Sequence, residues 1–160
     1  AAAGEPGELR VRSPQLFLEY HGDPEATAAA YDDDARFRTG DTGVRGTDGA
    51  VRLLGRTSVD ILKSGGYKIS ALEIEEVLRR HPAVADVAVI GVPDPVWGDC
   101  VTACVVPRAA PEGAGATPLT LDELRAWARG ALAPYKLPRA LRLLAELPRN
   151  PMGKVQKGLL

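Results

Sequence analysis

The stretch GRTSVDILKSGGYKISALEIE, residues 55–75, changes period in its middle. Val59 and Ile61 alternate on one side, Tyr67 and Ile69 follow, and Gly65-Gly66 between them can adopt the positive φ angles of a tight turn, which predicts a β-hairpin. Counted outward from the glycines, Lys63 faces Lys68. Like charges placed opposite one another on paired strands cost roughly 0.2–1 kcal/mol unless an anion lies between them. Two readings stay open on these residues alone: a pair of lysines splaying into water, and a local anion site. From Ser70 the pattern turns helical, with Ser70 as N-cap, Glu73 completing a capping box and Pro82 closing the segment.

Outward to the C-terminus, AVADVAVIGV (83–92) and CVTACVVP (100–107) are Val-rich strands, and the short connection PDPVWGD predicts that they pair antiparallel. PRAAPEGAGATP (107–118) reads as a flexible loop. TLDELRAWARGALAP repeats the helix signature. Thr120 is its N-cap, Glu123 completes a box, Leu121, Leu124, Trp127, Ala128 and Ala131 form one stripe, and Pro134 ends it. RALRLLAEL (139–147) predicts another strand, and PRNPMGKVQKGLL a turn into a short final segment. Outward to the N-terminus, GELRVRSP (7–14) alternates as a half-buried strand, and DPEATAAAY starts a short helix with Asp23 as N-cap and Pro24 at its first position. FRTGDTG reads as a turn, followed by a hairpin whose signal is Asp48-Gly49, between Val44 and a strand from Val51 to Leu54. There is no internal repeat. The fold class is α/β (α+β): a β-rich piece, residues 1–57, then a compact unit, 58–160, with a hairpin and a short sheet flanked by helices.

Within 160 residues, 20 Lys plus Arg stand against 21 Asp plus Glu, so nothing in the overall charge favours nucleic acid or an anionic membrane. No run of apolar residues is long enough to span a bilayer, and AAAGEPGELR lacks the pattern of a signal peptide. Cys100 and Cys104 fall on one face of a strand about 13 Å apart, too far to bridge. His21 and His81 have no cysteine near them in sequence, so zinc is not expected. The acidic run in DDDAR (32–36) reads as a solvated connection. In RTGDTG (38–43) Asp41 stands between glycines that let a ligand approach the backbone. It is either a plain turn residue or an acceptor for two hydroxyls, as on a ribose. PMGKV is not a phosphate-binding P-loop, because Pro148 stands where its first glycine belongs and Val155 where its Ser or Thr belongs.

Taken in order, GELRVRSPQLFLEYHGDPEAT, FRTGD, GRTSVDILKSGGYKISALEIE and LPRNPMGKV resemble four successive signatures of the acyl-adenylate-forming enzymes. That superfamily holds the acyl-CoA synthetases, luciferases and adenylation domains of peptide synthetases. SGGYKISALEIE, LAPYKLP and LPRNPMGKV are most similar to its malonyl-CoA synthetase branch.

The resemblance implies the C-terminal part of an ATP-dependent acid:CoA ligase: the β-rich end of a large AMP-binding domain, then a small mobile lid. It implies magnesium-ATP and coenzyme A as co-substrates and a small carboxylic acid, malonate first, as substrate. The remaining N-terminal domain, with the magnesium ligands, phosphate loop and acyl pocket, would be the partner of this segment, which alone should be inactive. A cytoplasmic or mitochondrial enzyme is expected.

Residue by residue, Asp41 would hold ribose hydroxyls and Arg56 the nucleotide. Lys154 would be catalytic in adenylation. Lys63 and Lys68 would lie near the nucleotide phosphate, and Gly65, Gly66 and Tyr67 along the coenzyme A path. The hinge would fall among Ser58, Val59 and Asp60. Counting from Arg56 gives Ser58, and counting back from the Gly-Gly pair gives Val59. Two other readings are a ligase for another acid or a carrier-protein thiol, and an isolated lid that binds nucleotide without catalysis.

Overall fold

The computed structural model describes residues 2–109 and 118–160. Most of the loop expected over 107–118 lies outside the described residues. The chain divides into two compact units, Ala1–Ser58 and Val59–Leu160.

The first unit is an antiparallel sheet of β1 (Pro6–Val11), β2 (Phe37–Arg45) and β3 (Val51–Arg56), in the order β1-β2-β3, with helix α1 (Pro24–Ala30) between the first two. Asp23 caps α1 as expected, its carboxylate accepting from the Ala26 N–H at 2.9 Å. FRTGDTG is not a turn. It lies inside β2, bonded to a strand on either side, and these two ladders override the glycine signal. What remains of that signal is a bulge between Thr42 and Gly43 and a φ of 73° at Gly40. In the DDDAR run Asp32 serves the loop itself. Its carboxylate accepts the N–H groups of Arg36 and Asp34 and pairs with Arg10 at 2.7 Å, and the Arg36 N–H is the main reason its carboxyl sits below the usual carboxylate range.

The second unit holds β4 (Ile61–Ser64), β5 (Tyr67–Ser70), α2 (Ala71–Arg79), β6 (Val84–Asp94), β7 (Gly98–Pro107), α3 (Leu121–Ala128) and β8 (Ala140–Leu143), with 3-10 turns at Pro134–Lys136 and Lys157–Leu159. Its sheet runs β5-β4-β7-β6, and β8 lies parallel to β7. The long β6–β7 ladder sorts its side chains by the period of two. Val87, Val89, Val101, Ala103 and Val105 join a core with Ile74 and Leu78 of α2 and Leu124 and Ala128 of α3. Ala88, Ile90 and Cys104 pack with Leu147, Val155 and Leu160 of the C-terminal segment. Burial pushes the Cys104 thiol up, which keeps it protonated and inert.

Two expectations need shortening. Helix α3 stops at Ala128 rather than at Pro134, ahead of Gly130, a poor helix former, so Ala131 falls outside it and is exposed. Trp127 stays 44% exposed, with its indole N–H donating to the Val77 carbonyl at 3.1 Å. The strand in 139–147 covers only Ala140–Leu143, because the parallel pairing with β7 ends at Val105.

The box on α3 is complete. Thr120 Oγ1 accepts from the Glu123 N–H at 3.3 Å, and the Glu123 carboxylate accepts from the Thr120 N–H at 2.8 Å, which holds that carboxyl below its usual range. A carboxylate with a lowered folded pKa contributes stability that is present above the ordinary glutamate value and lost as pH falls through the lowered one. Glu123→Gln should therefore melt below the native chain at neutral pH, and the gap should close on acidification. Thermal melts across that pH range check this, and a gap that does not change with pH would contradict it.

Candidate functional site

In the first unit, cross-strand register sets Asp41 opposite Arg56, and the Arg56 Nε lies 3.3 Å from Asp41 Oδ1. Arg56 Nη1 also donates to the Thr39 carbonyl at 2.7 Å, which fixes the guanidinium over the Gly40 backbone. The Asp41 N–H donates to Thr39 Oγ1, and that hydroxyl donates to the Leu9 carbonyl, so the carboxylate stands on a backbone tied to both neighbouring strands. Both side chains are substantially exposed, 37% and 52%, so their pairing orients the carboxylate more than it stabilises the fold. The carboxylate can still accept hydroxyls from a ligand.

In the second unit the hairpin forms as read, with Lys63 opposite Lys68 and both exposed. Gly65 and Gly66 have φ of 57° and 82°, the two positive angles of a type I′ turn. The structure adds supports that the sequence did not suggest, chiefly from the β6–β7 connection and the start of β7. The Gly65 N–H donates to the Trp97 carbonyl at 2.9 Å, and the Lys63 N–H to Asp99 Oδ2 at 2.6 Å. A Cβ on Gly65 would sit 3.3 Å from the Trp97 ring, whose π face lies 3.4 Å from the Arg139 guanidinium carbon. A Cβ on Gly91 would come within 2.8 Å of the Asp99 carboxyl carbon, so that glycine makes room for the support. Tyr67 stacks on Tyr135 with centroids 4.3 Å apart. Gly66 itself faces open space, with nothing within 4 Å of a Cβ placed there.

Lys154 stands apart from the hairpin, on a loop closed by the bridge between Arg149 and Val155. Asn150 holds that loop. Its Oδ1 accepts from the N–H groups of Met152 and Lys154, and its own N–H donates to the Lys154 carbonyl at 2.9 Å. Arg149 donates to the Gly153 carbonyl and pairs with Asp86 of β6. An exposed ammonium is thus presented on a backbone bonded on both sides. The turn expected over PRNPMGKVQKGLL is present, and the Asn ahead of Pro-x-Gly is the residue that holds it.

Of the three hinge candidates, Asp60 is built into the second unit: its carbonyl accepts from Ala71 N–H at 2.7 Å and its carboxylate from Lys157 Nζ at 2.6 Å. Ser58 and Val59 fall on either side of the division between the units. The structure therefore groups Asp41 with Arg56 in one unit. In the other, Lys63, Gly65, Gly66, Tyr67 and Lys68 share one hairpin, and Lys154 has a loop of its own.

Residues 73–154 match the AMP-binding enzyme C-terminal domain. The mitochondrial malonate–CoA ligase ACSF3 of Bos taurus is 56% identical over 151 residues, covering 94% of this chain and 25% of the relative. The malonate–CoA ligase of Arabidopsis thaliana is 48% identical over 155 residues, covering 94% and 26%. Among solved structures, ATP-bound MatB from Rhodopseudomonas palustris superposes with a TM-score of 0.83 at 36% identity, over 99% of this chain and 30% of that one. The o-succinylbenzoate CoA synthetase MenE of Bacillus subtilis, in complex with its acyl-adenylate intermediate OSB-AMP, gives 0.85 at 32% identity, over 99% and 31%. The chain spans about a quarter of the length of the curated relatives it matches.

Gly40 is the backbone position on which the Asp41–Arg56 arrangement turns. With φ at 73° and a Cβ that would land 2.7 Å from Arg56 Nη1, Gly40→Ala should displace the guanidinium from the Thr39 carbonyl. The expected cost is about 1–2 kcal/mol in denaturant unfolding. A loss below roughly 0.5 kcal/mol, the range of an ordinary surface change, would contradict this.

Proposed function

The chain belongs to the family of AMP-binding enzyme C-terminal domains, and from that premise we propose that it is the C-terminal segment of an ATP-dependent acid:CoA ligase whose acid is malonate. The observation that carries the reading is the Lys154 loop, an exposed ammonium on a backbone held by Asn150 and Arg149. The identities with malonate–CoA ligases support the choice of acid. Residues 1–57 are then the end of the large domain and 58–160 the lid. The names of the animal relatives favour a mitochondrial over a cytoplasmic compartment.

In the first half-reaction a carboxylate oxygen of the acid attacks the α-phosphorus of ATP, an O–P bond forms and pyrophosphate leaves. Lys154 lowers the barrier by meeting the negative charge gathered on the reacting carboxylate and phosphates. A fixed cation does this without reorganising at the moment of reaction. Asp41 accepts hydrogen bonds from the ribose hydroxyls, and Arg56 keeps that carboxylate turned toward them. In the second half-reaction the sulfur of coenzyme A attacks the acyl carbon and AMP leaves with the bonding pair. Lys63 and Lys68 face the departing phosphate, so the charge pair across the hairpin acquires its anion. Gly66 leaves the turn's outer side bare, and the pantetheine arm runs past it beside Tyr67. Among the described residues there is no group of three or more His, Cys, Asp or Glu side chains that could hold a metal. Magnesium enters with the phosphates of ATP as part of the substrate.

In the full-length enzyme, Lys154→Ala should lower malonate-dependent ATP–pyrophosphate exchange by roughly 10²-fold or more, as for the loss of one oxyanion donor. An unchanged exchange rate would remove Lys154 from the chemistry. Gly66→Asn, which tolerates the positive φ there and whose Cβ meets nothing within 4 Å, should slow the transfer to coenzyme A while sparing exchange. Equal loss of both steps would mean a folding defect. A panel of acids assayed by coenzyme A-dependent AMP release tests the substrate, with malonate expected to be fastest.

A further inference from the structure

Three side chains outside the hairpin and the Lys154 loop form a buried ion cluster. The Lys157 ammonium lies 2.6 Å from Asp60 Oδ1 and 2.7 Å from Glu75 Oε1, and the three side chains are only 10%, 13% and 8% exposed. Glu75 is fixed from two further directions, accepting from the Val89 N–H on the outer edge of β6 at 2.8 Å and facing Arg79 at 3.9 Å. A buried ion pair is weak evidence of net stability, and what this one does in the structure is join residues far apart in the chain. Asp60 is the residue just after Ser58 and Val59, and Lys157 is three residues past Lys154.

Resting on the ligase reading above, we infer that Lys157 is a positioning residue for adenylation. It locks the segment after the pivot to the loop that carries Lys154, so that the only backbone left to turn is Ser58 and Val59. The near side of that pivot is tied separately. The Thr57 N–H donates to the Gly40 carbonyl at 2.9 Å and the Thr57 hydroxyl meets the Thr42 hydroxyl at 2.7 Å. On the far side, Asp60 is held by Lys157 and by its carbonyl bond to Ala71. From Lys157 the tie runs back to the loop through the Gln156 N–H, which donates to the Pro148 carbonyl, and through the Arg149–Val155 bridge. When the pivot turns, Lys154 follows as part of one rigid body. The hairpin does not depend on this cluster for its tip, since Asp99 and Trp97 hold Lys63 and Gly65 directly.

The test uses the full-length enzyme. Lys157→Met should lower malonate-dependent ATP–pyrophosphate exchange by roughly 10²-fold, the scale of a small misplacement of a catalytic group. The half-saturating ATP concentration and the rate at which preformed malonyl-adenylate yields malonyl-CoA should both be retained. Lys157→Arg should recover the exchange. Because Lys157→Met leaves two buried carboxylates without the cation they share, the double variant Lys157→Met/Glu75→Gln removes the surplus charge and should show the same split between steps. Native exchange in Lys157→Met, or equal loss of both steps in the double variant, overturns the proposal. Amide hydrogen exchange on the same proteins separates this from the ligase reading. Ala71, Gln156 and Leu159 should lose protection in Lys157→Met while Lys63 and Gly65 keep theirs, whether or not the enzyme activates any acid. Unchanged protection at Ala71 and Gln156 overturns the positioning role, and an enzyme that activates no acid overturns only the ligase reading.

Discussion

The β6–β7 ladder, paired from Val84 with Pro107 to Asp94 with Gly98, is the constraint on which the second unit hangs. Because successive residues point to opposite faces, a single run of valines and alanines has to satisfy two unrelated partners at once. One face takes the apolar stripes of α2 and α3, and the other takes the C-terminal segment. A slip of one residue would present each face to the wrong partner. The register therefore fixes where the C-terminal segment lies, and with it the loop of Lys154.

The same ladder also supplies the hairpin. The three-residue connection between β6 and β7 brings Trp97 against Gly65, and Asp99 follows to take the Lys63 N–H. Neither support is a charged group directed at a ligand. Each removes freedom from a glycine turn that would otherwise be the loosest point of the unit. The unit thus keeps its glycines bare on the outer side and restrained on the inner one, which suits a turn that must be thin and still fixed.

What was legible in the sequence was local. The α3 box, the start of α2 at Ser70 and the Lys63–Lys68 register depend on residues a few positions apart and formed as read. On α2, by contrast, Ser70 accepts from the Glu73 N–H, but the Glu73 carboxylate pairs with the distant Lys136 instead of completing a box. The glycines around Asp41 misled because two flanking strands, distant in sequence, outweigh a turn preference. Partnerships across the fold were not legible at all. Lys157 and Asp60 are 97 residues apart, Lys63 and Asp99 36 apart, and nothing in either local pattern announces the other. The candidate residues came from motifs whose order carried a family resemblance. The residues that hold them in place came only from the folded chain.

Trp97 has one further consequence. The chain contains two tryptophans, and only this one touches the glycine turn, with Gly65 against its ring and the Arg139 guanidinium over its face. Trp127 lies elsewhere, its indole bonded to the end of α2. Replacing Trp127 by phenylalanine would leave this chain with a single tryptophan, set into the hairpin's support. Changes in the turn could then be followed optically, with no label attached to the surface along which a thiol would have to pass.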